Sequence, residues 1–157
     1  MTLGRDMLRD AAIGVAVADR PENLTAFRRP GCVAAIWRQR PESGFQSWVD
    51  ALAPANLPKG RFVLRPDAIR HALIQLCEIA DTPKESKRER LIDNATTLAH
   101  VFVRLMNAQY LLLRLQAITT NACRKLHIDE ITVRLVCTYR GQGTQYGIST
   151  DAPEGEL

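Results

Sequence analysis

The residues best suited to chemistry lie close together: Cys123, His127 and Asp129 supply a thiol, an imidazole and a carboxylate within one short segment. One residue separates His127 from Asp129, so on a β-strand, whose side chains alternate between faces, both point the same way. An imidazole and a carboxylate so placed can reach one cation and leave positions open for water or substrate, as in non-haem iron sites with two His and one carboxylate. Cys123 can join them if the loop before His127 folds over. A Cys-x-x-x-His-x-Asp set would then suit zinc, with the thiolate as a soft ligand. The cofactor expected on this reading is a divalent metal, iron or zinc. The plainer reading of the same residues is a buried His hydrogen-bonded to Asp, or a solvated strand entrance, with Cys123 a small buried loop residue.

Few other groups can complete such a site. Cys137 has the same parity as His127, but the eight residues beyond Asp129 amount to about 26 Å of extended chain. Tyr139 keeps that parity at about 33 Å, so only strand curvature could bring it near a bound substrate. Arg134 has the opposite parity, which argues against it as a direct anchor for a bound acid. His71 and His100 fall on polar faces of predicted helices, and no His follows His127.

The positioning elements can be read from periodicity. Ile131, Val133, Leu135, Cys137 and Tyr139 alternate with Thr132, Arg134, Thr138 and Arg140, which predicts a half-buried strand. Leu111, Leu113, Leu115 and Ala117 do the same against Arg114 and Gln116, and the two segments are expected to pair antiparallel across the polar connection Thr119 to Lys125. Gly141-Gln142-Gly143-Thr144 ends the pair as a turn, and the acidic tail from Thr150 is expected to be loose.

Upstream, Ile13 to Ala18 and Cys32 to Trp37 read as short strands around a helix over Glu22 to Arg28. Ser43 is a plausible N-cap for a helix carrying Phe45, Trp48, Val49 and Leu52; Pro54 to Gly60 reads as a loop and Phe62 to Leu64 as a third strand. Pro66 suits the first turn of a helix whose buried face is Ile69, Ala72, Leu73, Leu76 and Cys77. The clearest helix sets Leu91, Ala95, Leu98, Phe102 and Leu105 on one stripe and Asp93, Thr97, His100, Arg104 and Asn107 on the other. Its front end, Lys84 to Arg90, reads as solvated. The fold class expected is α+β, an antiparallel and jelly-roll-like sheet (a double-stranded β-helix) with helices packed on one face.

Composition sets the outer limits. The chain has 157 residues, 46% hydrophobic and 24% charged, which suits one globular domain over residues 1–157 with a core that needs no metal or disulfide staple. Its formal charge of +4 helps solubility more than it identifies a partner. Four scattered cysteines without a CxxC favour the reducing cytoplasm. The apolar run Ala11 to Ala18 ends in Ala-x-Ala, but the residues before it carry no net positive charge, so it makes a poor secretory signal. No apolar stretch approaches the roughly 20 residues of a membrane span. Nucleic acid is disfavoured as a partner because the Lys84 to Arg90 run has mixed signs and no interleaved aromatics.

The run Asn121-Ala122-Cys123-Arg124-Lys125-Leu126-His127-Ile128-Asp129, followed by Arg134-Leu135-Val136-Cys137-Thr138-Tyr139-Arg140-Gly141-Gln142-Gly143-Thr144, resembles the signature of domain-of-unknown-function family 1826, an uncharacterised bacterial family. Pro30-Gly31 leading to Ala35-Ile36-Trp37-Arg38 resembles that family's amino-terminal block, so the similarity spans most of the chain. The family pattern carries Cys-Pro before the His, and Gly-Pro-Gly-Thr followed by an acidic residue and Trp; here Arg124, Gln142, Gln145 and Tyr146 stand in those places. The resemblance implies a metal-related role, through an association with zinc homeostasis. It also implies a longer carboxyl end, with a His-Arg segment that could supply a third ligand, so this chain is expected to be a shortened member or incomplete there.

Three functions follow as expectations. The first is an oxygenase-like or cupin-like metal domain with His127 and Asp129 as ligands. The second is a zinc-associated binding protein without catalysis, using Cys123, His127 and Asp129. The third is a structural or interaction module in which Asn121 and the turn at Gly141, Gly143 and Thr144 fix a hairpin. The partner would be a small molecule or another protein.

Overall fold

The computed structural model describes residues 14–118 and 133–143. The chain divides into two compact units, Met1–Pro41 and Glu42–Leu157. Helices and short strands are mixed in it, so the fold is α+β.

In the first unit, β1 (Val15–Ala18) and β2 (Ala34–Trp37) pair in parallel, joined by a 3-10 helix over Pro21–Arg28. Pro21 suits the first helical position because its missing N–H would have no helical partner there. The parallel pairing departs from the antiparallel expectation, and the reason is local. A helical crossover returns the chain to the same end of the sheet, whereas a tight hairpin would have reversed it. Gly14 makes the start of β1 possible: its φ is +101°, and a Cβ there would lie 2.8 Å from the Gly31 carbonyl oxygen. Its own carbonyl accepts the N–H groups of Val33 and Ala34.

The second unit is built on two helices. A 3-10 turn at Pro66–Ala68 leads into α2 (Ile69–Ile79), and α3 runs over Ser86–Met106; α1 (Phe45–Ala51) precedes both. All five residues expected on the buried face of α2 are buried. Ile69, Leu73 and Cys77 of α2 meet Ile92, Ala95 and Ala99 of α3 in the main core, with Leu111 added from the next strand. A smaller cluster joins Phe45 and Val49 of α1 to Leu91 of α3. Arg70 ties the helices outside the core, donating to Glu89 at 3.1 Å and also to Asp93. Such exposed pairs contribute little beside the apolar contacts.

The Ser43 expectation is corrected: the N-cap of α1 is Gly44, in the left-handed region at φ 77°, and no side chain caps that end. Within the Pro54 to Gly60 stretch, Pro54–Asn56 forms a single 3-10 turn. The C-terminus of α3 closes as a Schellman turn around Asn107 at φ 48°, with the Ala108 N–H donating to the Val103 carbonyl at 3.0 Å and the Asn107 N–H to the Arg104 carbonyl at 3.3 Å. Asparagine tolerates that backbone less readily than glycine. Asn107→Gly is therefore expected to raise stability by about 0.5 kcal/mol, read as a higher urea midpoint at unchanged slope.

The strand β4 (Leu111–Leu115) alternates as expected, with Leu111, Leu113 and Leu115 turned to the helices. Its partner is not the expected one. It pairs antiparallel with β3 (Gly60–Leu64), in the register Gly60 to Leu115 through Leu64 to Leu111. The expected partner begins in residues outside those described, and its continuation over 133–138 carries no strand pairing. Short alternation shows which face of a segment is buried but not which segment lies beside it, and β3 is as short and apolar as the competitor. Among the described residues the strands make two separate two-stranded sheets, and no jelly-roll closure is present. No helix among them is long and apolar enough to cross a membrane.

Candidate functional site

Of the residues singled out in the sequence, Asn121, Cys123, His127, Asp129 and Thr144 lie outside the described residues. Arg134, Tyr139, Gly141 and Gly143 lie within them. The described part of the block, 133–143, lies outside any strand, and Tyr139 packs it against the helical core.

The Tyr139 ring bridges the two hydrophobic clusters, packing against the α2–α3 core and against the Phe45, Val49 and Leu91 group. It meets the Phe45 ring edge to face, with centroids 6.4 Å apart, a favoured arrangement of two ring quadrupoles. Its hydroxyl donates to Asn94 Oδ1 on α3 at 2.7 Å. Its backbone carbonyl accepts from Gln46 Nε2 on α1 at 2.9 Å. Arg140 adds a second tie by donating to the Leu52 carbonyl at 2.8 Å. Burial pushes the Tyr139 hydroxyl well above the ordinary tyrosine range, and the neighbouring Cys137 adds to the shift. The group is thus a neutral hydrogen-bond donor held in packing.

Tyr139 is half-buried, as its inward parity implied. Its polar end is taken up by Asn94, so the residue positions chain. Cys137, expected to face inward with it, is exposed. The alternation breaks between Leu135 and Tyr139 because the segment has no ladder of backbone hydrogen bonds to hold it in pleat. Arg134 is exposed as expected. Gly141 adopts φ 79° in the bend that follows Tyr139, consistent with the expected turn. His71 is exposed and His100 half-buried.

Sequence reasoning missed Gln46, Asn94 and Arg140 as the anchors of this block. Asn94 had a usable signal: it stands on α3 between Leu91 and Leu98, beside the apolar stripe, where a polar side chain needs a partner. Gln46 and Arg140 had none, because each makes a long-range bond to a backbone carbonyl.

In the first unit, Ala16, Val17, Asn23, Thr25, Ala26 and Arg29 line a shallow cleft of about 260 Å3. It contains none of the motif residues. Among the described residues no group of three or more His, Cys, Asp or Glu side chains is placed to hold a metal ion. What the described geometry can do is mechanical: it fastens the downstream end of the Cys123 to Thr144 block to α1 and α3.

No curated protein and no solved structure matches the sequence at a significant level. Residues 18–157 match the family described as Protein of unknown function (DUF1826), a span that takes in both the Ala35 to Arg38 block and the whole of Asn121 to Thr144, and the chain belongs to that family.

Proposed function

We propose that this protein binds a divalent metal through His127 and Asp129, with Cys123 as third donor, and that it does so as a zinc-associated binding protein without turnover. The observation that carries the reading is the spacing of thiol, imidazole and carboxylate within Cys-x-x-x-His-x-Asp, a donor set whose soft thiolate suits zinc better than the harder cations. Two features support it. The family match includes the donor segment. The chain that follows is fastened by Tyr139 and Arg140 on α1 and α3, which limits how far the donors can separate from the helical unit. Cys32, Cys77 and Cys137 are free thiols, in keeping with work in a reducing bacterial cytoplasm and a part in zinc homeostasis. Bound zinc would supply charge neutralisation and a fixed geometry. The chain's part is to present the three donors and, through Asn121 and the Gly141 to Thr144 turn, to hold the backbone on either side.

Iron in the same place would instead go with the oxygenase-like or cupin-like reading, in which the donors open a jelly-roll strand and a small molecule is the substrate. A module without metal is favoured by one observation, that Tyr139 is spent on packing. Metal content of protein purified without chelator separates the three. Close to one zinc per chain that survives dialysis, and is lost in His127→Ala and in Asp129→Asn, is the expected result. A His127→Ala protein that keeps the same metal content overturns the proposal, iron with substrate-dependent oxygen consumption favours the oxygenase-like reading, and metal-free folded protein leaves the module.

A further inference from the structure

The β3–β4 ribbon has a second face that the helices do not use. Strand parity and register put Arg61 and Val63 of β3 and Leu112 and Arg114 of β4 on it, with Arg61 directly opposite Arg114 and Val63 directly opposite Leu112. All four are exposed, Val63 at 71% and Leu112 at 51%. Two features of this face are unfavourable in isolation. Like charges opposite each other across a ladder repel, and an apolar pair in water gives up the stabilisation that burial brings. Neither Arg61 nor Arg114 has a carboxylate partner among the described residues.

From this arrangement we infer that the outer face of the β3–β4 ribbon is a docking surface for an extended acidic segment of a partner protein. Its carboxylates sit against Arg61 and Arg114 and an apolar side chain against Val63 and Leu112. The spacing specifies the partner's pattern. Side chains on one face of a strand recur every second residue, about 6.7 Å apart, so an acidic residue and an aliphatic residue two positions away match the Arg61 and Val63 pair in register. A second copy of this chain fits poorly, because this face carries no carboxylate to set against Arg61 and Arg114. A single-stranded nucleic acid would satisfy the charge but leave Val63 and Leu112 facing phosphate and sugar, and none of the four outward positions of the paired ladder is aromatic for stacking. The inference is independent of the metal reading.

The test uses the full chain and a dodecapeptide of three Ser-Glu-Ser-Val repeats, with a Ser-Lys-Ser-Val counterpart and a single-stranded oligonucleotide as competitors. Fluorescence anisotropy should show binding of the Glu peptide in low salt that weakens as salt is added, because the contacts lie within reach of screening ions. The Lys peptide should not bind. The double variant Arg61→Glu with Arg114→Glu should lose about tenfold or more for the Glu peptide and gain affinity for the Lys peptide, a difference that tenfold converts to about 1.4 kcal/mol. Arg114→Ala serves as the folding control: it relieves the cross-strand repulsion, so its thermal midpoint should equal or exceed that of the parent while Glu-peptide binding falls. Equal binding of both peptides, tighter binding of the oligonucleotide, or self-association that the double variant leaves unchanged would each overturn the assignment.

Discussion

Tyr139→Ala is expected to lower the stability of the second unit by about 2–4 kcal/mol, somewhat under the cost of truncating a fully buried aromatic because the ring is only partly enclosed. Two losses combine. The ring fills space between the α2–α3 core and the Phe45 group, so its removal leaves a void shared by both clusters. The Asn94 carbonyl oxygen also loses its 2.7 Å donor. Tyr139→Phe keeps the first and removes the second, and about 1 kcal/mol is expected for it. The pH dependence has a definite sign. The folded hydroxyl titrates above the ordinary tyrosine value of 10.0, so its contribution is fully present below that pH and falls away as pH rises through the higher folded value. Urea midpoints of the parent should therefore decline above pH 10 more steeply than those of Tyr139→Phe. An unfolding free energy of Tyr139→Ala within about 0.5 kcal/mol of the parent would mean that the block is not held by this residue.

The sequence carried the helices of the second unit almost completely and the sheets only in part. Ile69, Ala72, Leu73, Leu76 and Cys77 recur at helical spacing, and a helix with one apolar stripe has one way to bury it; the structure buries all five. The inward and outward sides of β4 were equally legible, since period-two alternation fixes faces. Pairing was not legible. Leu111 to Leu115 could lie beside any short apolar segment, and the choice of β3 is made by the α2–α3 core, which draws Leu111, Leu113 and Leu115 inward next to the chain entering α2. The helix over Glu22 to Arg28 between two short strands was legible, but β1 and β2 are only four residues each, too short for their pattern to fix the direction in which they pair. At the site, parity identified Tyr139 as inward. It could not reveal that Asn94, 45 residues earlier, would take its hydroxyl.

The charged run Lys84 to Arg90 holds the other large effect, since Arg88 departs from the solvated reading and is only 4% exposed. Its guanidinium donates to Glu78 Oε1 at 2.5 Å and to the Thr82 carbonyl at 3.2 Å, while its buried Nε has no partner. Thr82, itself buried, donates through Oγ1 to the Asn56 carbonyl at 2.7 Å, and Asn56 Nδ2 donates to the Ala80 and Asp81 carbonyls. Arg88 thus knots the end of α2, the turn before α3 and the Pro54–Asn56 turn into one network. Arg88→Ala should cost about 2–4 kcal/mol, by opening a cavity and leaving the Thr82 carbonyl without a donor. Arg88→Met keeps most of the volume and removes both the desolvated charge and the orphaned Nε. Glu78, 48% exposed and still paired with Lys84 at 3.2 Å, is left in water, and the Thr82 carbonyl loses its donor as it does in Arg88→Ala, so this variant should fall about 1 kcal/mol below the parent and well short of the loss in Arg88→Ala. Acid separates them further. The Arg88 hydrogen bond, followed by that of Lys84, holds the Glu78 carboxyl below the ordinary glutamate value of 4.5, so its contribution is present above that value and lost as pH falls through the lowered one. The parent should lose more stability than Arg88→Met on acidification through that range, with the Glu42 and Arg90 pair contributing alike in both. Should Arg88→Met prove as unstable as Arg88→Ala at neutral pH, the guanidinium charge and not its volume would be what holds the turn, and the comparison with an apolar replacement would fail.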